Sequence, residues 1–340
     1  MTLIKINDKE HEVESDLSIL EAVRGEGYEI PTLCYHPDLS INGGCRLCIV
    51  EDVDSGKLIT SCSTSVTEGL EIKTASEKVE RARKSVVDLL LSDHPLDCMV
   101  CEADGDCTLQ DLAYRYGLNE STLGSKVDPR FEIEHDNPFI VHDPDKCILC
   151  GRCVRVCEEV QGVSALQFSE RGFDSIVTTA FNLPQSEINC ANCGQCATVC
   201  PVGAITEKSD IEKVWDALEN EDKHVIVQTA PSIQATIGEE FGMDPGSVVT
   251  GKMVSALRKL GFDRVFSTEF SADLTIMEEG FEFLERLESD RDLPHITSCC
   301  PGWVKYAEHN YPDLLHHVST AKSPQQMFSA IAKTYYAELA

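Results

Sequence analysis

Cys147-Ile148-Leu149-Cys150-Gly151-Arg152-Cys153 recurs further along the chain as Cys190-Ala191-Asn192-Cys193-Gly194-Gln195-Cys196. Each run closes on a fourth cysteine after three residues, Cys157 and Cys200. Thiolates at x2, x2 and x3 gaps have the spacing of iron–sulfur ligands, and Pro201 is the expected turn residue after such a run. Zinc knuckles pair their cysteines differently. Outward from this repeat, all 17 cysteines of the 340-residue chain fall in five short clusters. Upstream lie Cys34, Cys45, Cys48 and Cys62 with x10, x2 and x13 gaps, then His94, Cys98, Cys101 and Cys107. Downstream stand Cys299 and Cys300, side by side in Thr297-Ser298-Cys299-Cys300-Pro301-Gly302-Trp303.

Composition bounds the reading. Seventeen cysteines are heavy for a cytosolic enzyme unless most bind metal, and a disulfide scaffold needs a short secreted chain. A formal charge of −29 makes nucleic acid an unsuitable partner. No long apolar stretch reads as a signal peptide or a membrane span, so a reducing cytoplasm is the expected location.

The pattern predicts an α+β multidomain chain. Residues 2–7 alternate as a strand, Asn7-Asp8 turn into a second strand near Val13, and Ser18 caps a helix through Val23. Strands around Cys48–Val53 and Leu58–Cys62 complete a β-grasp domain over 1–78. A small helical one-His/three-Cys domain spans 79–125, with helices Glu77–Ser92 and Leu109–Tyr116. Polar residues 118–138 read as a linker. The cysteine repeat occupies 139–209 as βαβ-like halves. From 210 to 340 helix alternates with buried strand (His224–Thr229, Lys252–Leu260, Arg264–Ser267, Thr275–Leu287), an α/β pattern.

Four thiolates on a loop and adjacent strand can hold a 2Fe–2S core. Neutral His94 among three thiolates makes a 4Fe–4S cluster less negative. In two-cluster ferredoxins, which the repeat resembles, the fourth cysteine of each run crosses over. Cys147, Cys150, Cys153 and Cys200 then hold one 4Fe–4S cluster, and Cys190, Cys193, Cys196 and Cys157 the other. Cys299 and Cys300 cannot easily ligate one cubane, and strain disfavours a disulfide between neighbours. They read as one ligand and one reactive thiol, against two buried cysteines in a Pro-Gly turn.

With the whole string read, the chain resembles the diiron (FeFe) hydrogenases of the large clostridial modular type, through the first active-site motif at Thr297–Trp303. The resemblance implies 2H⁺ + 2e⁻ ⇌ H₂ at a cubane bridged to a diiron unit. Cys300 is then a cubane ligand and Cys299 a proton donor. A proton path follows through Glu279, Ser319 and Glu282, with Arg286 near its exit. Glu279, Glu282 and Arg286 share one helix face by spacing. Ala230, Pro231 and Ser232, and the stretch containing Pro324 and Gln325, are implied cofactor contacts. The family's later cysteine motifs are absent from these 340 residues, so catalysis and the diiron cofactor are expected only where that segment is supplied, on a further chain if need be. Without it, apolar helix faces and a sheet edge within 224–340 are expected to be uncovered. A ferredoxin or an NADH-oxidising flavoprotein subunit is the implied redox partner. The competing reading is an electron-transfer subunit of NADH dehydrogenase or formate dehydrogenase type, without H₂ chemistry.

Overall fold

A computed structural model describes residues 1–124 and 129–340. They divide into two compact units, Met1–Cys190 with Gly194–Lys208, and Ala191–Cys193 with Ser209–Ala340.

The first unit opens with strands β1 (Thr2–Ile6) and β2 (Lys9–Val13), an antiparallel hairpin. Asn7 and Asp8 both take positive φ (51° and 67°), as a two-residue hairpin turn demands. Helix α1 (Ile19–Gly25) starts in a reciprocal capping box between Ser18 and Glu21. Strands β3 (Ile49–Asp52), β4 (Leu58–Thr60) and β5 (Glu71–Lys73) follow. The sheet order is β2-β1-β5-β3-β4, so the two hairpins expected from sequence are not sufficient. Short β5 joins them, parallel to β1 and antiparallel to β3. With one fully buried side chain, Ile72, it is too brief to show alternation. Ile4, Ile6, Leu20, Val23, Val50 and Ile72 form the core under this sheet, together with Cys48 and Cys62.

Helix α2 (Glu77–Ser92) is capped by Ser76 and packs beside α3 (Thr108–Arg115). A second core joins Leu33 and Leu47 from the cysteine loop, Val87, Leu91, Leu109 and Leu112 from these helices, and Val202 and Ala204 from beyond the repeat. Arg83 is fully buried in α2, its guanidinium donating to the Leu47 carbonyl at 3.0 Å and the Ile49 carbonyl at 2.7 Å. Residues 118–138, expected to be a linker, are instead fastened down where they are described. Leu118, Ser121 and Asn137 are buried, Arg130 N–H donates to Asp145, and Glu134 bridges to His142. Polar side chains hide this because they bind backbone rather than solvent. Residues 125–128, including the expected end of the second domain at 125, lie outside the described residues.

The repeat contributes β6 (Ile140–His142), α4 (Arg152–Arg155), β7 (Gln167–Ser169), β8 (Ile176–Thr178), α5 (Gln195–Thr198) and β9 (Ile205–Glu207). Each half reads β-α-β along the chain, but pairing is antiparallel and crosses between halves, β6 with β9 and β7 with β8.

The second unit contains α6 (Ile211–Leu218), β10 (Ile226–Thr229), α7 (Pro231–Thr236), α8 (Thr250–Leu260), β11 (Arg264–Ser267), α9 (Thr268–Ser289), α10 (Pro301–Asn310) and α11 (Pro324–Ile331). Strands β10 and β11 pair in parallel across the α7–α8 connection. Helix α9 starts at Thr268, earlier than apolar spacing suggested, because Ser267 caps it directly at the end of β11. Phe270, Ile276, Met277, Phe281, Leu284 and Leu287 of α9 are exposed. No helix among the described residues is long and apolar enough to cross a membrane.

Candidate metal centres

The first ligand set surrounds a loop that ordinary backbone does not trace. Gly43 and Arg46 both take positive φ (65° and 59°), turning the chain so that Cys45 and Cys48 flank the bend. Cys62 sits in the 3₁₀ turn after β4, with its sulfur 3.3 Å from that of Cys48. Cys45 N–H donates to Cys34 Sγ at 3.5 Å. Cys34, Cys48 and Cys62 are each 1% exposed. The Cys34 thiol pulls the Cys45 pKa down to about 5, and Cys62 pulls Cys48 down to about 6, while Cys34 and Cys62 are themselves pushed up. Each pair thus shares one proton, and a bound cation would displace it.

His94 is buried just past the end of α2. Cys98 opens a 3₁₀ turn, and Cys107 is the residue preceding α3. Burial raises the thiol pKa of both cysteines. Cys101 Sγ lies where Gly203 would carry a Cβ, at 2.6 Å, so only glycine fits there. His94 and Cys147 line one groove of about 370 Å³. Beside Cys147, Lys146 pairs with Asp97 at 3.3 Å and Asp143 at 3.4 Å. Burial opposes its charge, but Cys101, Asp97 and Asp143 outweigh this and hold its pKa high.

The internal repeat is conformational as well as sequential. Leu149 and Asn192 both take φ of 54°, and Gly151 and Gly194, at 70° and 77°, cap the short helices that carry Cys153 and Cys196. Leu149 N–H donates to Cys147 Sγ at 3.4 Å and Ala165 N–H to Cys157 Sγ at 3.2 Å. Cys200 Sγ donates to the Val202 carbonyl at 2.9 Å. Burial pushes the Cys147 pKa up to about 12, and raises Cys150 and Cys153. Cys190 and Cys196 are half-buried, and Cys193 is exposed.

These donor sets fit iron–sulfur clusters. All 17 cysteines are free thiols, several under backbone N–H groups that would hydrogen-bond a ligated sulfur. Among the described residues no three His, Cys, Asp or Glu side chains converge on a single metal ion. A cluster interposes iron and sulfide, so its ligands stand further apart.

In the second unit, Glu282 Oε2 accepts from Ser319 Oγ at 2.9 Å, and Glu282 Oε1 from Arg286 at 2.6 Å. Thr320 N–H adds a further donor at 3.0 Å. Burial alone would raise the Glu282 pKa, but these donors hold it below the ordinary value. Arg286 also caps the His317 and Val318 carbonyls. Glu279, one turn earlier, has a buried Oε1 with no hydrogen-bond partner among the described residues. The segment before Cys299 is fastened to that of Ser319 by Ser319 N–H donating to the Ile296 carbonyl at 2.7 Å. Cys299 itself makes no hydrogen bond to the Glu282 group. Both Cys299 and Cys300 are exposed, unlike the dry site and the buried turn considered from sequence, and Cys300 caps α10. Ala230 is the residue between β10 and α7, with Pro231 and Ser232 opening the helix, all three exposed. Pro324 and Gln325 begin α11, and the Gln325 carbonyl accepts from Gln228 at 3.3 Å. Arg83, Lys146, Arg152, Arg155 and Gly203 were invisible from spacing. Only the occurrence of Arg152 inside one copy of the repeat, opposite Gln195 in the other, set any of them apart.

Known proteins divide along the same modules. Residues 1–77 match the 2Fe-2S iron-sulfur cluster binding domain and residues 83–122 the NADH-ubiquinone oxidoreductase-G iron-sulfur binding region. Residues 137–206 match the ferredoxin-like domain of NADH-quinone oxidoreductase subunit 3, and residues 223–340 the C-terminal domain of the iron only hydrogenase large subunit. The NADP-reducing hydrogenase subunit HndD of Solidesulfovibrio fructosivorans is 50% identical over 100% of this chain and 60% of its own length. Iron hydrogenase 1 of Clostridium pasteurianum is 38% identical over 99% and 58%. A solved NAD⁺-reducing [NiFe]-hydrogenase aligns with a TM-score of 0.57 at 32% identity, over 62% of this chain and 88% of that one. The fold and ligand sets define an iron–sulfur electron-transfer protein. More particularly, the chain belongs to the iron-only hydrogenase family, and it spans about three-fifths of the length of the curated relatives it matches.

Proposed function

We propose that the chain relays electrons through one 2Fe–2S and three 4Fe–4S clusters toward a hydrogenase site where 2H⁺ + 2e⁻ ⇌ H₂. The observation that carries this reading is the second core, around which Cys45, Cys107, Cys147 and Cys200, ligands from three modules, all pack. Bound clusters accept and release single electrons. The chain's own part is to hold them in fixed register, dry, and under N–H donors. The modules are those bounded at 1–78, 79–125, 139–209 and 210–340. At the far end Cys300 would serve as a cubane ligand and Cys299 as the thiol that moves a proton toward Glu279, Ser319, Glu282 and Arg286. Ala230, Pro231, Ser232, Pro324 and Gln325 would line the diiron cofactor. A nicotinamide-oxidising subunit or a ferredoxin is the proposed electron partner.

Anaerobically reconstituted protein is expected to hold about 14 iron atoms per chain with matching sulfide. Iron of two or three per chain, or colourless protein with every thiol titratable, overturns the relay. The second reading, an NADH dehydrogenase-type subunit without H₂ chemistry, is favoured by the matches of residues 83–122 and 137–206. The Glu282–Ser319–Arg286 group has no purpose there. H₂ evolution from reduced viologen by a maturated assembly containing this chain, lost in C299S, decides between the two.

A further inference from the structure

The search for unassigned chemistry leads to two arginines in the first unit. Both are on the short helix of the first repeat and reach across to the loop of the first ligand set. Arg155 Nη2 donates to the backbone carbonyl of Cys34 at 2.7 Å and, at 3.4 Å, to that of Cys150. Its Nη1 donates to the Ser40 carbonyl, and its Nε to the Gly151 carbonyl at 3.1 Å. One guanidinium therefore spans the main chain of two cysteines that belong to different ligand sets. Arg152 donates to the Tyr35 carbonyl at 2.7 Å, and Asn42 returns a hydrogen bond to Cys150 O at 3.0 Å. Glu159, the nearby carboxylate, is held by Ser40 N–H and the Ser40 hydroxyl instead.

We infer that Arg155 is a positioning residue that clamps the Cys34 loop to the Cys150 turn and favours the reduced state of the clusters on both sides. This rests on the reading of Cys34 and Cys150 as cluster ligands. The physical reason is charge. Adding an electron to either cluster adds a negative charge to a half-buried site, where a fixed cation acts under little screening. Arg suits the task because its planar fork spans two acceptors and keeps its charge. The field of both arginines is felt at the Cys150 thiol, and Arg152 in turn senses Cys150, Cys34 and Cys45. Docking does not depend on the arginine alone, since Leu39 of the loop packs with Val156 and Val199 in a small apolar core. Removal of the guanidinium therefore leaves the two loops together.

The test is a dithionite titration of the full, iron-loaded chain, followed by electron paramagnetic resonance. The 4Fe–4S signal in question is assigned by its loss in C150A. In R155Q the reduction constants of the 2Fe–2S cluster and of that 4Fe–4S cluster are each expected to fall about tenfold, about 59 mV for one electron. The His94-containing cluster is expected to stay unchanged. In R155K a single ammonium cannot span both carbonyls, so one constant is retained and the other falls. Should R155Q fail to load its clusters, R155K decides by itself. Unchanged constants in either variant, or a shift at only one cluster in R155Q, overturns the clamp. Iron analysis separates this from failure of the underlying reading, in which the wild-type chain holds no cluster at all.

Discussion

The two units of this chain differ in where their apolar side chains go. The first buries three aliphatic cores with cysteines built into their walls. Among the described residues of the second, only Met253, Ala307, Val318, Phe328 and Ala332 are buried hydrophobics, while the apolar side chains of α9 face outward. The contrast shows two ways to stabilise a redox protein. In the first unit apolar burial and metal ligation reinforce each other, because the ligands rim the core. The second unit relies on local devices: the Ser323–Gln326 capping box, the Phe266–Phe328 ring pair at 5.2 Å, and the Glu282–Arg286–Ser319 group.

Iron removal breaks the comparison most severely. Cluster binding free energy is folding free energy where ligands are spread through a core. Chelation is expected to abolish slow hydrogen exchange through residues 1–208 and leave residues 209–340 unchanged; equal loss in both units refutes the division. Next in size, R83A strands the Leu47 and Ile49 carbonyls in a buried site and is expected to destabilise the first unit by about 3 kcal/mol, read by chemical denaturation. A melt unchanged by R83A would show those carbonyls are readily solvated.

In the second unit, E282A removes the acceptor of Ser319, Thr320 and Arg286 and is expected to cost about 2 kcal/mol. The pH dependence has a defined sign. The folded Glu282 pKa lies below its unfolded value, so its stabilisation is complete above the ordinary glutamate range and is lost as pH falls through the depressed value. Tryptophan fluorescence of the second unit is expected to report an acid transition that E282Q lacks. The smallest effect sharpens the contrast: F281E is expected to change stability by under about 0.5 kcal/mol while reducing binding of an apolar dye. Strong destabilisation by F281E would mean that the outward face of α9 is in fact packed.

Much of the site was legible before any coordinates. Cysteine gaps are a local property, and so are the Ser18 and Ser76 caps, the Asn7-Asp8 turn and the duplicate bend at Leu149 and Asn192. Less was legible where a contact joins distant residues. Strand β5 is three residues long and takes its place from β1 and β3, not from its own periodicity. The segment 118–138 reads as polar and loose, yet Ser121, Asn137 and Arg130 spend that polarity on buried backbone and on Asp145.

By itself the chain of residues determined which thiols group together and which chemistry they suit, since ligand sets follow from gaps of two or three residues along one backbone. Tertiary structure alone decided that Arg155 reaches two of those groups, that Cys101 nests against Gly203, and that Arg83 caps a loop thirty-odd residues away. The physical reason is that a carbonyl or an empty glycine face is offered by every residue type in much the same way, so packing, and not identity, selects which one is used.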